Sequence, residues 1–263
     1  MNLRVTVLGC GSSGGVPLVG ERWGLCNPDE PKNRRRRASI LMEMGETCVL
    51  VDTGPDVRNQ LNDLARGEGG LKISAILYTH IHADHVAGID DMRFQAYAQG
   101  QKIPAYADPI CKEQLAERYD YIFKGIDGPR LSYKSILDLR LWPFELQIGS
   151  MAIHSWDQEH GNITSRGIRV GQFAYSTDVS DLRPEVLESL KGIDTWIVGC
   201  ARKEPHPAHA HLDRVMTWAE IVQPRQLFLT HMTGLMDYHS LNAEMPDHMA
   251  CAYDGLVLDI PMS

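Results

Sequence analysis

The sequence has few cysteines, and none of the six, at 10, 26, 48, 111, 200 and 251, forms a CxxC pair. That spacing excludes a disulfide framework and a ribbon-type zinc site. Cys10, Cys48 and Cys200 lie in or beside apolar runs and read as small buried hydrophobes. No apolar run approaches the roughly 20 residues that a membrane helix needs. The opening stretch MNLRVTVLGCG lacks the charged-then-apolar pattern of a secretory signal and reads as a first strand. A cytoplasmic location with no membrane partner is expected. There is no Ser- or Pro-rich linker and no repeat, so one domain over 1–263 is expected. A net positive field is also missing. With 26 basic and 34 acidic residues the chain carries −8, which argues against a long nucleic-acid partner.

What the chain does have is alternation. Strand-like runs fall at 3–8, 38–44, 48–52, 75–79, 103–106, 139–148, 151–156, 167–176, 194–199, 226–230 and 251–259. Helix-like stretches fall between them at 56–66, 84–98, 109–123, 184–191, 211–222 and 238–244. This pattern predicts an α/β protein. The stretch 139–176 is mostly strand and turn, so part of the sheet should be antiparallel. In GCGSSGGVP, residues 9–17, Gly9, Gly11 and Gly14 spell G-x-G-x-x-G. No helix pattern follows, so a dinucleotide site is rejected.

The segment YTHIHADHVAGI packs His80, His82, Asp84 and His85 into six positions after an apolar strand. His80 and His82 cannot share a helix face, because two residues span about 200°. In an extended segment they point the same way and can grip one ion. Asp84 and His85 then open a helix and can hold a second. Three imidazoles and a carboxylate gathered without an ion would leave polar atoms unpaired. Three distant residues repeat the strand-end placement: His160 in SWDQEHGN, Asp178 in QFAYSTD and His231 in QLFLTH. A carboxylate such as Asp178 is useful between two ions because it has two oxygens.

H-x-H-x-D-H, then a lone His, then STD, then LTH resembles the metallo-β-lactamase superfamily over residues 80–231. VDTGP at 51–55 resembles the upstream Asp-x-Gly of that superfamily. The resemblance implies a four-layer αββα sandwich with mixed sheets and two divalent ions. It assigns His80, His82 and His160 to one ion. It assigns Asp84, His85 and His231 to the other, with Asp178 bridging and Asp52 orienting a ligand. Zinc suits these donors best, with manganese or iron as alternatives. Redox members usually carry Glu where this chain has His82, so hydrolysis is favoured.

LGCGSSGGVP, NRRRRAS and HPAHAHL together resemble a narrower branch. It contains the phosphodiesterase of the carbon–phosphorus lyase pathway and is related to ribonuclease Z. In that branch a histidine after the late strand serves as general acid. His209 best matches it, with His206 and His211 as near misses. The implied reaction is hydrolysis of a small nucleotide-like or cyclic phosphodiester by hydroxide held between the ions. Ser12, Ser13, Arg35, Arg36 and His211 are candidate substrate contacts. The early loop VGERWGLCNPDEP holds only Cys26, and one thiol cannot close a four-ligand structural zinc site. A thioesterase or lactonase on the same metals, or a non-catalytic metal-dependent carrier, are the alternative readings. The resemblance also makes a homodimer plausible.

Overall fold

The computed structural model describes residues 2–64, 71–128 and 132–262. Among the described residues, fourteen strands form two seven-stranded sheets. The first sheet joins β14 (Val257–Pro261), β1 (Asn2–Gly9), β2 (Ser39–Met44), β3 (Thr47–Val51), β4 (Ala75–Tyr78), β5 (Ile103–Ala107) and β6 (Leu137–Leu141) in that spatial order. The second runs β13 (Met249–Cys251), β12 (Gln226–Thr230), β11 (Thr195–Gly199), β10 (Phe173–Ser176), β9 (Ile163–Val170), β8 (Met151–His160) and β7 (Glu145–Ile148). Each sheet has three antiparallel junctions and three parallel ones. β3 and β10 hold the same place, where pairing changes from antiparallel to parallel.

The layers follow from the period-two pattern of the strands. Leu3, Val5, Val7, Ile40, Met42, Val49 and Val51 belong to the core between the sheets. Their neighbours Leu8, Leu41 and Leu50 face the opposite way. There they meet α1 (Val57–Asn62), α2 (Ala83–Val86), α3 (Met92–Gln99), α4 (Pro109–Arg118) and α5 (Asp120–Lys124) through Val57, Val86, Met92, Leu115 and Ile122. α6 (Pro184–Ser189), α7 (Leu212–Val222) and α8 (Tyr238–Glu244) cover the second sheet through Val186, Trp218 and Leu241. The result is the expected αββα sandwich with mixed sheets. Among the described residues, no helix is long and apolar enough to cross a membrane.

Several predicted runs divide. Residues 139–148 supply parts of β6 and β7, which lie at edges of different sheets. Residues 251–259 likewise divide between β13 and β14, one in each sheet. The predicted helix 84–98 is broken by a 3-10 turn at Ile89–Asp91 after Gly88. Gly88 allows the turn to press on Gly54, where a methyl group would lie 2.2 Å from the Gly54 oxygen. The helix predicted over 56–66 ends at Asn62, and its last two positions lie outside the described residues.

Candidate metal centre and active site

The strand ends place the polar residues. Asp52 follows β3, His80 and His82 follow β4, and Asp178 follows β10. His231 follows β12, and His160 is the last residue of β8. β8 continues four residues past the predicted 151–156, so His160 sits on a strand paired with Ile163 rather than in a loop. Asp52, Asp178 and His231 have φ of 65°, 46° and 56°. These left-handed turns are costly for a side chain with a Cβ, and such strain concentrates at functional sites. They swing three polar side chains toward one point.

Two donor clusters meet there. One is His80, His82, His160 and Asp178; the other is Asp84, His85, His231 and Asp178. Asp178 belongs to both and divides its oxygens between them. Its Oδ2 lies 3.7 Å from His80 Nε2 and 3.4 Å from His160 Nε2. Its Oδ1 lies 3.1 Å from both His85 Nε2 and His231 Nε2. Asp84 Oδ2 lies 3.3 Å from His85 Nε2 and 3.4 Å from His231 Nε2.

This donor set fits divalent cations. The His85 Nε2 atom is buried, has no hydrogen-bond partner, and faces two carboxylates. Burial opposes a charged His85, yet Asp178, Asp52 and Asp84 raise it well above its ordinary value. A cation in place of that proton satisfies the same carboxylates. Burial pushes His80 well down and His82 down, which keeps their lone pairs free to ligate. Burial alone would raise Asp178 and Asp84. The neighbouring histidines, His231 and His85 for Asp178 and His85 and His231 for Asp84, outweigh it and hold both ionised.

A further shell fixes the ligands. Asp52 is fully buried and accepts from the Thr79 amide and hydroxyl, each at 2.8 Å. Its Oδ2 lies 2.7 Å from His85 Nδ1, which turns Nε2 toward the cluster. We expect Asp52→Asn to weaken metal affinity about 10- to 100-fold, measurable by competition with a chromogenic chelator. His160 Nδ1 is held by the Ala208 carbonyl at 2.6 Å. Gly54, two residues after Asp52, has no room for a side chain: a methyl group would lie 2.1 Å from the Asp84 carbonyl oxygen. Gly54→Ala should cost about 1–3 kcal/mol and displace Asp84, lowering both the melting temperature and the metal content.

His209 stands beside both clusters. Its ring stacks on His231 at 4.9 Å, lies 4.8 Å from His160, and has Nδ1 4.0 Å from Asp178 Oδ2. Burial, then the His231 charge, push it down to about 3. His206 lies one ring further out, 5.2 Å from His209. His211 precedes α7 and shares with His206, Arg214, Asp181 and Glu159 the lining of a cavity of 260 Å³.

The arginine run is corrected. Arg35 is 2% exposed and donates to the carbonyls of Met236 at 2.6 Å and Thr233 at 3.3 Å. It is a strut under the loop after His231, not a substrate contact. The Arg36 side chain pairs with Asp63 at 2.6 Å and faces a groove beside β1 and β14. The Gly/Ser loop does reach the site's edge, because the Ser12 amide donates to the Met232 carbonyl at 3.1 Å. Ser13 is exposed in the following turn.

Sequence reading missed the threonines. Thr79, Thr177 and Thr230 each stand directly before a cluster residue. Thr79 orients Asp52, and Thr177 donates to Asp178 Oδ1 at 2.8 Å. The repeated Thr-His, Thr-Asp, Thr-His at strand ends was the signal available.

Comparison with known proteins agrees with this geometry. The profile of the β-lactamase superfamily domain matches residues 47–232. The crystal structure of a diphosphatase of the PhnP family is 31% identical, with a TM-score of 0.88, covering 99% of this chain and 98% of that one. The human short-form tRNase Z shares the fold, with a TM-score of 0.69 at 17% identity over 98% of this chain and 99% of that one. An octanoyltransferase of Porphyromonas gingivalis is 29% identical over 260 residues, 97% of this chain but 51% of that protein. The chain thus spans about half the length of that relative. With the superfamily profile covering most of the chain and the cluster order intact, the chain belongs to the β-lactamase superfamily, with the metallo-β-lactamase fold of its hydrolases.

Proposed function

We propose that the chain is a phosphodiesterase for small phosphodiesters that uses two divalent ions. The observation that carries this reading is the division of the Asp178 carboxylate between two histidine clusters, with His209 stacked beside both. Such a pair of sites suits in-line displacement at phosphorus. The likeness to a PhnP-family diphosphatase supports a phosphorus-centred substrate.

Bound ions would supply an activated water and positive charge for the phosphoryl oxygens. The protein supplies the rest. His80, His82 and His160 would hold one ion, and Asp84, His85 and His231 the other. Asp178 would contribute to both, and Asp52 holds His85 Nδ1 so that Nε2 is the nitrogen turned to the cluster. His209 protonates the departing alkoxide. Burial favours its neutral imidazole, and a phosphoryl anion set against it raises its proton affinity. The Gly/Ser loop at Ser12 and Ser13 borders the substrate. Zinc is the expected metal for this His-rich set, with manganese or iron as substitutes.

An acyl thioester or lactone is the second reading. Val19, 88% exposed, and Leu25, 73% exposed, favour it. Both lie on a loop whose Leu25 amide donates to the Gly234 carbonyl, three residues past His231. The octanoyltransferase relative points the same way. The zinc-, manganese- and iron-loaded proteins should each be assayed with bis-p-nitrophenyl phosphate, a 2′,3′-cyclic nucleotide, an acyl thioester and a lactone. Preference for the phosphodiesters is expected. Turnover confined to the acyl substrates overturns the proposal.

A further inference from the structure

Asp254 stands apart from the other aspartates near β1. Asp259 pairs with Arg4 and Asp63 with Arg36, but among the described residues Asp254 forms no salt bridge. It accepts two backbone amides instead. The Cys10 amide donates to Oδ1 at 3.1 Å and the Arg36 amide to Oδ2 at 2.8 Å. The Cys10 thiol lies 3.5 Å from Oδ1. Both amides lie outside strands, so the carboxylate takes the place of a ladder acceptor.

This junction leads to a residue of the metal cluster. The Gly11 amide donates to the Arg36 carbonyl at 2.7 Å, which closes a ring of Asp254, Cys10, Gly11 and Arg36. The Cys10 carbonyl accepts from the Met232 amide at 2.9 Å, and the Ser12 amide donates back to the Met232 carbonyl at 3.1 Å. Met232 follows His231, whose left-handed φ of 56° aims its ring at the cluster. The turn that carries Asp254 is pinned to β1. The Gly255 amide donates to the Val7 carbonyl and the Val7 amide to the Leu256 carbonyl, both at 2.8 Å. From Asp254 to the His231 turn there is thus one intervening peptide, that of Cys10.

Resting on the reading of His231 as a metal ligand, we propose that Asp254 is a positioning residue whose ionised carboxylate holds the His231 turn in its ligating place. Ionised, it offers one charged oxygen to each amide. Protonation turns one oxygen into a hydroxyl and removes the charge, and hydrogen bonds to an ionised acceptor are roughly twice as strong as neutral ones. Burial, opposed by the Arg36 and Cys10 amides, raises this carboxyl to about 6. The charged groups around it are Arg4, Arg34, Arg36 and Asp63, which line the same cavity of 640 Å³. Burial pushes the Cys10 thiol well up, so it stays neutral. A raised carboxyl means that the folded chain takes this proton more readily than the unfolded chain. Protonation of Asp254 below about pH 6 therefore favours the fold. A weaker hold on metal there would come from the junction, not from unfolding driven by this group.

The test is competition for zinc between a chromogenic chelator and either the wild type or Asp254→Asn, run from about pH 5 to about pH 8. Asparagine sets an NH₂ group against one of the two amides and does not titrate. Near neutral pH the wild type should bind zinc about tenfold more tightly than the variant. The ratio of affinities should approach one toward acid pH. The histidine ligands take up protons in both proteins and cancel in that ratio. A ratio of one throughout, or one that does not shrink toward acid pH, overturns the proposal. If the wild type binds no zinc, the metal reading fails by itself. Amide hydrogen exchange of the wild type, read by NMR, then tests Asp254 alone, and it also serves if Asp254→Asn does not fold. Protection of the Cys10, Arg36 and Met232 amides, corrected for intrinsic exchange, should fall several-fold toward acid pH while that of Leu41 in β2 holds. Unchanged protection, or an equal fall at Leu41, overturns the proposal.

Discussion

Asp178→Asn should reduce phosphodiester turnover by more than about 100-fold, beyond the range expected for residues that only orient ligands. The bound metal should fall below the wild-type content. The reason lies in the two oxygens. Oδ1 faces His85 and His231, and Oδ2 faces His80 and His160. An amide replaces one of these oxygens with a donor and removes the charge that would balance cations held by the two clusters. Asparagine is the informative replacement because it tolerates the left-handed backbone at this position, φ 46°. The fold should therefore survive, as a circular-dichroism melt would show. Metal per chain can be counted by inductively coupled plasma mass spectrometry. Wild-type metal content together with wild-type turnover would remove Asp178 from its bridging place.

The metal cluster was legible because most of it is local. His80, His82, Asp84 and His85 lie within six residues, and alternation in an extended segment fixes which of them share a face. Asp178 and His231 were legible as polar residues ending apolar strands. Their backbone turns were not, since letters do not announce a left-handed aspartate. Alternation pointed to an α/β protein and the family resemblance implied the four layers, but neither revealed the partition of strands between sheets. Residues 139–148 look like one strand, yet they cross from one sheet to the other, and only the pairing of β6 with β5 and of β7 with β8 shows it. Arg35 misled for a related reason. Four adjacent arginines look solvated, but alternation sends Arg35 inward to carbonyls while Arg36 faces outward to Asp63.

The second large effect concerns His209, and it should depend on the leaving group. His209 belongs to neither donor cluster, so His209→Ala should keep its metal. An alkoxide leaves poorly without a proton, and a positioned general acid contributes about 10²–10⁴-fold. Ring opening of a 2′,3′-cyclic nucleotide should therefore fall by that order in His209→Ala. A p-nitrophenolate departs as a stable anion, so loss on bis-p-nitrophenyl phosphate should stay within about tenfold, well below the full contribution of a general acid. His206 lies 5.2 Å from His209 and outside ring contact with the cluster residues His160 and His231. His206→Ala should therefore show a smaller loss with no such split. Metal content measured on each variant separates proton donation from ligand loss. If His209→Ala loses the same factor on both leaving groups, the imidazole is packing His231 in place rather than giving a proton. If it loses metal as well, His209 belongs with the ligands.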